Sequence, residues 1–272
     1  MWILIASSLL TLEFNKKIAL LILIIALGMA FYNHFLFLSG AGFTLFIAVA
    51  AVAKHVFRTV ESVSVALEAI LLTSAIALAM HFIPGFNNVI MLDQVQAGPN
   101  SLPFTLYFNL DKALLPFILL AALHTLFKTK PAPPTSELFW VLPIVAVPAL
   151  LLAGIAVGAL HLELHHPDWL CQFVLSNIFF VSLAEEALFR GYIQQRLRQK
   201  IGDRWALGIA SVLFGLLHYA GGIQLILFAT IAGLIYGTAW MWTGRLWVAV
   251  GFHFGLNLTH LIFFTYPLSA GV

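Results

Sequence analysis

The chain has 272 residues, of which 62% are hydrophobic and 9% charged, with a mean hydropathy of +1.01 and a formal net charge of +2. A soluble domain of this size needs far more polar surface, so the composition points to a polytopic membrane protein and excludes a large soluble domain. Basic residues are scattered between apolar runs, which argues against nucleic-acid binding, and the single Cys171 excludes a disulfide scaffold.

The first dozen residues are apolar but lack the basic flank of a signal peptide, so residues 1–14 are read as retained, either spanning or lying in the interface. Hydrophobic segments come next at 18–38, 40–53, 64–83, 110–127, 138–160, 169–189, 205–219, 223–243 and 246–266. The expected fold is all-α, a polytopic transmembrane bundle of about eight to ten spans. Lys16, Lys17, Lys54, Arg58, Lys128, Lys130, the cluster at 190–204 and Arg245 fall at alternate connections, which places those connections in the cytoplasm of a bacterial-type inner membrane. The opposite connections are nearly free of Lys and Arg. Among them, residues 84–109 carry Pro84, Gly85, Gly98, Pro99 and Pro103 and are expected to form a structured outer cap or re-entrant element without a further helix. The stretch KTKPAPPTSE at 128–137 is the clearest linker, with Pro131, Pro133 and Pro134 favouring extended backbone and Ser136 placed to cap the hydrophobic segment at 138–160. It divides the chain into an amino-terminal helical region, 1–137, and a carboxy-terminal region, 138–272. No internal repeat is evident.

The sequence SLAEEALFRGYIQQRLR at 182–198 sets two adjacent carboxylates, Glu185 and Glu186, at the end of an apolar run. Charges at mid-bilayer cost roughly 2.5–3.5 kcal/mol, so intramembrane acids usually face a protein interior or a wet cavity and mark function. On a helix Glu186 reaches Arg190 at i+4 while Glu185 points elsewhere, an arrangement that separates a structural acid from one available as a base. An ordinary helix-end ion pair is the competing reading. The residues after it, 191–204, read as a basic helix emerging on the cytoplasmic surface, where anionic lipid attraction suffices to explain it. Phe214 and His218 are four apart in SVLFGLLHYAGG, and so are His253 and Asn257 in GFHFGLNLTH. Counted from their cytoplasmic ends at 1.5 Å per residue, Glu186, His218 and the His253–Asn257 pair sit at similar depths, roughly 10–20 Å in. Any one of these histidines alone is at least as well explained by an interhelical hydrogen bond.

In this order and topology, Glu185-Glu186-x-x-x-Arg190, Phe214-x-x-x-His218 and His253-x-x-x-Asn257 resemble the three motifs of the CPBP family of intramembrane endopeptidases (CAAX protease and bacteriocin-processing, also called ABI). The resemblance covers 169–266 and departs nowhere at the motif positions. It implies a glutamate-activated water, with Glu185 as base, His218 as its partner in holding the water, His253 and Asn257 as oxyanion stabilisers, and Glu186 and Arg190 in support. The implied substrate is a membrane-anchored protein or peptide. Relatives act on prenylated proteins or in bacteriocin maturation and immunity, so the substrate itself does not carry over.

The residues fit this chemistry independently of the name, since amide hydrolysis needs a base for water and donors aimed at the developing oxyanion. No cofactor is expected. Zinc held by Glu186, His218 and His253 is the alternative, against which stand the lack of HExxH and the otherwise unexplained amide of Asn257. A transporter or immunity protein using these groups as a proton relay is a further rival, for which an oxyanion pair is superfluous. His161, Glu163, His165 and His166 are read as interfacial in preference to metal-binding, His260 as a structural hydrogen-bonding residue, and Phe189 and Phe214 as packing. His34, His55, His81 and His124 lie near helix ends, and Trp140, Trp169, Trp205 and Trp247 read as interface anchors. The charge asymmetry predicts that in intact cells a cysteine at His165 is reached by an impermeant external label while one at Thr129 is shielded. External labelling at Thr129 would reverse the orientation.

Overall fold

Backbone in lipid must satisfy its own N–H and C=O groups, which turns long apolar runs into helices. The computed structural model describes residues 1–271. Its helices are α1 (Trp2–Thr11), α2 (Lys16–Tyr32), α3 (Leu38–Val56), α4 (Glu61–Ala79), the short α5 (Leu110–Ala113) and α6 (Leu115–Ala122), α7 (Val141–Ala156), α8 (Leu170–Ile201), α9 (Asp203–Leu216), α10 (Gly222–Thr243) and α11 (Leu246–Phe263). Among the described residues, α3, α4, α7 with the turn before it, α8, α10 with the turn before it, and α11 are the six long and apolar enough to cross a membrane. The remaining expected segments fold as shorter elements. The 17-residue α2 is capped by the Asn15 side chain, which accepts from the Ile18 N–H at 3.1 Å. The run 110–127 becomes α5 and α6, whose Leu110, Leu115, Ile118 and Leu119 are buried in protein. Its apolarity thus serves the core, which is why it reads like a span without being the length of one.

The helix α8 organises the rest. In its most apolar stretch 61% of residues are buried, against 17–33% in the other five membrane-length helices, so α8 is the central rod and the others surround it. At 32 residues it is roughly 48 Å long, well beyond a hydrocarbon core of ~30 Å, so its basic end continues past the membrane boundary.

The linker 128–137 is extended and ends at Ser136, whose Oγ accepts from the Leu138 N–H at 3.3 Å, as expected. It is not free, however. It lies along the α10–α11 turn, where the Thr129 N–H donates to Gly244 O at 2.8 Å, Ala132 N–H to Met241 O at 2.9 Å and Leu246 N–H to Phe127 O at 3.0 Å. Gly244 adopts a left-handed φ of +66° there, a conformation costly for a residue with Cβ.

Residues 84–109 form a structured cap around a two-stranded antiparallel sheet, β1 (Val89–Val95) and β2 (Phe104–Phe108). The sheet is a detail that Pro and Gly content alone did not specify. The cap is laced to the other outer connections. Leu102 N–H donates to Leu268 O at 3.0 Å, Thr265 N–H to His161 O at 2.9 Å, and Glu163 N–H to Phe263 O at 3.0 Å. Glu163 is the knot. It accepts from Asn100 N–H and Nδ2 at 3.0 Å, from Ser101 Oγ at 2.8 Å and from His165 Nε2 at 2.9 Å. His165, read from sequence as interfacial, is instead buried, because its other ring nitrogen donates to Leu261 O at 2.6 Å and carries the ring beneath the cap. The exposed His166 is therefore the outer position for labelling, with the exposed Cys171 replaced.

Burial pushes the Glu163 carboxyl up, but the hydrogen bonds from His165, Asn100 and Ser101 outweigh it and hold it at about 2, below the ordinary 4.5. A depressed carboxyl stabilises the folded state above its unfolded value and loses that contribution as pH falls towards its folded one. Hydrogen exchange at 98–102 should therefore accelerate as pH drops from about 4.5 towards 2, after correction for the intrinsic pH dependence. Glu163→Gln should remove that dependence and lower the melting temperature by roughly 2–4 °C for each ~1 kcal/mol lost. Unchanged protection in the variant would show that the knot does not hold the cap.

Candidate active site

Within α8 the turn Leu183–Glu186 is flanked by two wider, π-helical segments, Asn177–Ser182 and Ala187–Gln194. Such widening is rare and recurs at functional sites, because each extra residue per turn re-aims the side chains beyond it. Between them, Glu186 turns into the protein with no solvent exposure, and Arg190, equally buried, lies one turn on. Glu186 Oε2 is 3.1 Å from Arg190 Nε, the expected i,i+4 ion pair, though the two are not aligned as a hydrogen bond. Its other oxygen, Oε1, accepts from His253 Nδ1 at 2.9 Å. One carboxylate thus ties the first motif to the third.

The cation is fixed from two further sides. Arg190 Nη2 donates to Gly233 O of α10 at 2.9 Å, and its guanidinium carbon lies 4.7 Å from the centre of the Phe214 ring on α9. Gly233 permits the approach, since a Cβ there would sit 3.2 Å from Arg190 Nη2 and 3.1 Å from the Ser211 Cα. Phe214 packs edge-on against His253 at 5.8 Å and against Phe189 at 5.2 Å, so both phenylalanines have the packing role expected of them. Tyr236 stacks on His253 with ring centres 4.7 Å apart and planes 11° from parallel. Nothing in the sequence pattern singled out Tyr236. It stands seven residues before Thr243 in an apolar helix, and only the packing gives it meaning.

His218 lies two residues beyond the end of α9, not on the helix itself, yet its Nδ1 remains 2.9 Å from Phe214 O, the i−4 carbonyl. A carbonyl only accepts, so Nδ1 carries the proton and Nε2 presents a lone pair. The same reasoning gives His253 an Nδ1–H towards Glu186. An Nε2–H donor on His253 therefore requires the doubly protonated ring, which would set two cations, His253 and Arg190, against the one Glu186 carboxylate.

Asn257 does not touch His253. Its Nδ2 donates to Asn177 Oδ1 at 3.2 Å, and Ser182 Oγ donates to the same oxygen at 3.2 Å. One Nδ2 hydrogen is thereby used and the other left over. Asn177, buried in the apolar run before the glutamates, was missed from sequence, although a polar amide within a span is itself a signal. Glu185 is half-buried, and among the described residues its carboxylate makes no hydrogen bond or ion pair. The structure therefore joins Glu186, Arg190 and His253 directly, links His218 to them through Phe214, and leaves Glu185 unengaged one residue away. His260 donates through Nε2 to Thr265 O at 3.1 Å, the structural bond expected. Among the described residues no three His, Cys, Asp or Glu side chains are grouped in a way that would hold a metal, either here or at His161–His166.

Residues 167–259 match the family model described as Rce1-like, type II CAAX prenyl endopeptidase Rce1-like. This segment is Rce1-like. The CPBP resemblance read from the three motifs holds over these residues, and the match supports a peptidase of the CAAX-protease type. No curated protein and no solved structure matches the chain. The Rce1-like segment runs from just before α8 to within α11 and contains all the motif residues together with Asn177 and Tyr236.

Breaking a buried ion pair leaves an uncompensated charge and costs about 3–5 kcal/mol. Glu186→Gln is accordingly expected to lower the melting temperature in detergent sharply by stranding Arg190, and Gly233→Ala to lower it by a smaller amount, about 1–3 kcal/mol of overpacking. A Glu186→Gln protein as stable as wild type would show that the pair does not carry the packing of α8.

Proposed function

We propose that the chain is an intramembrane endopeptidase that hydrolyses a peptide bond of a membrane-associated protein or peptide by a glutamate-activated water. The carrying observation is the 2.9 Å contact between Glu186 and His253, which unites two motif-bearing helices in a buried arrangement beside the unengaged Glu185. In the proposed reaction Glu185 takes a proton from water, and the Nε2 lone pair of His218 helps to hold that water. The hydroxide adds to the scissile carbonyl. The oxyanion that forms receives the Nε2–H of His253 and the free Nδ2 hydrogen of Asn257, donors that act strongly in a dry, preorganised site. Glu185 then returns its proton to the leaving amine as the C–N bond breaks. Glu186 and Arg190 act as positioning residues.

The catalytic core in this reading is 138–272, with 1–137 as an accessory helical region and the basic connections facing the cytoplasm of a bacterial-type inner membrane. In this reading the 17-residue α2 and the 14-residue α9 bring the six longer spans to eight. The reaction is proposed to need no metal, since the glutamate and the Asn257 amide together supply what a zinc ion would.

Glu185→Gln should abolish cleavage while leaving the melting temperature within about 1 °C of wild type, because no described group depends on that carboxylate. Comparative peptidomics of membranes carrying wild type or Glu185→Gln would identify the product, and full activity in the variant would remove Glu185 as base. Chelator treatment of the purified enzyme is expected to leave the rate unchanged. Stoichiometric zinc whose removal stops cleavage and whose return restores it would replace the glutamate mechanism by a metallopeptidase.

A further inference from the structure

Away from the motif residues, a cavity of about 800 Å³ opens between α2, α3, α4 and the 114–124 stretch. Its volume is that of a site for a sizeable organic ligand. Its inner walls are apolar, formed by residues such as Leu23, Ile47, Leu114 and Ile118. Its mouth is basic. Lys16, Lys54, Arg58 and Arg196 line it, against one carboxylate, Glu68. These cations come from three separate segments, the start of α2, the end of α3 with the α3–α4 connection, and the end of α8, and the fold gathers them at one rim.

The division of labour at the rim is unequal. Glu68 is taken up by Lys54 at 2.9 Å, Arg196 at 2.5 Å and the Tyr192 hydroxyl at 2.7 Å, so those two cations share one carboxylate. Lys16 and Arg58 are exposed and make no ion pair or side-chain hydrogen bond among the described residues, and Arg196 Nε is buried without a partner. Two free cations stand over an apolar chamber whose outer wall, with Leu20 and Ala48, is itself exposed along the lipid-facing sides of α2 and α3.

We propose that this cavity binds an anionic phospholipid of the cytoplasmic leaflet, with an acyl chain in the apolar chamber and the phosphate between Lys16 and Arg58. The charge at the rim requires an anion, and the depth and apolarity behind it require a chain attached to that anion. A free phosphate would leave the chamber without an occupant, and a neutral lipid would leave the cations unpaired. Because Tyr192 and Arg196 belong to α8, the helix that carries Glu185 and Glu186, the bound lipid would brace that helix through Glu68. Lipid binding does not depend on the proposed peptidase activity.

The test uses the full-length protein in nanodiscs of a phosphatidylcholine matrix doped with a photocrosslinkable phosphatidylglycerol or, separately, a photocrosslinkable phosphatidylcholine. Wild type is expected to crosslink the anionic probe on α3 and on 114–124 in preference to the zwitterionic one. Lys16→Ala combined with Arg58→Ala should reduce anionic crosslinking about tenfold and leave the zwitterionic signal unchanged. The variant keeps the Glu68 network, and its melting temperature in detergent reports that it folds. Inorganic phosphate at millimolar concentration should not displace the probe. Equal crosslinking of the two lipids, an anionic signal unaltered in the double variant, or full displacement by inorganic phosphate would each overturn the proposal, the last by showing a phosphate site without a lipid.

Discussion

The buried carboxylate of Glu186 is the constraint on which the arrangement of the Rce1-like segment depends. A charge with no solvent exposure is tolerable only when the protein replaces its hydration, and here Arg190 at 3.1 Å and His253 at 2.9 Å do so from two different helices. The requirement propagates outward. Arg190 in turn needs an acceptor, which is the Gly233 carbonyl, and α10 must therefore approach α8 closely enough that a Cβ at that position would sit 3.2 Å from Arg190 Nη2. His253 needs its face covered, which Tyr236 of the same α10 supplies, and its edge packed, which Phe214 of α9 supplies. Four helices are thereby held in one relative placement by one ion pair, a constraint that apolar packing alone, being non-directional, does not impose.

The two widened segments of α8 have a matching consequence. In a uniform α-helix, residues nine apart are separated by two and a half turns and point to opposite sides, so Asn177 and Glu186 would not serve neighbouring parts of one site. The extra residues taken up in Asn177–Ser182 rotate the glutamate turn relative to Asn177. Asn177 meets Asn257 while Glu186 meets His253, and those two partners are themselves one turn apart on α11. The irregularity in α8 thus brings it into register with a regular stretch of α11.

The helical class, the order of the motifs and the Glu186–Arg190 pair were legible in the sequence, because each depends on local spacing: apolar runs of membrane length, i+4 stacking, and an acid where an acid is costly. The contact of Glu186 with His253 was not legible, since common depth brings residues to one level without saying which faces meet. Nor was Tyr236, whose role arises only from stacking across helices. The run 110–127 was read as a span because hydropathy does not distinguish apolar residues that face lipid from those that face protein. His165 was read as interfacial because its burial depends on Glu163, Asn100 and Leu261, two of them far away in sequence. The positive charges told which side each loop occupies but not that Lys16, Lys54, Arg58 and Arg196 would share one rim.

The mechanical situation of α8 is set by where its fixed points lie. At its basic, carboxy-terminal end it is held by Glu68, which grips Tyr192 and Arg196, by the Gln195–Thr125 bond of 2.5 Å, and by Arg198, which donates to Lys130 O at 2.7 Å. Towards its amino-terminal end, Ser176 donates to Tyr107 O of β2 at 3.1 Å and the ring of Phe180 packs on Trp2 and Phe108. Every one of these partners belongs to residues 1–137, whereas the partners of Glu186 and Arg190 all belong to 138–272. Residues 1–137 therefore hold α8 near both ends and also pack on its middle, where a Cβ on Gly191 would sit 2.7 Å from the Leu126 side chain. Through these contacts the first 137 residues bear on the site without contributing a motif residue to it. They fix the axis of α8, and against a fixed axis the widened turns determine where Glu185 points.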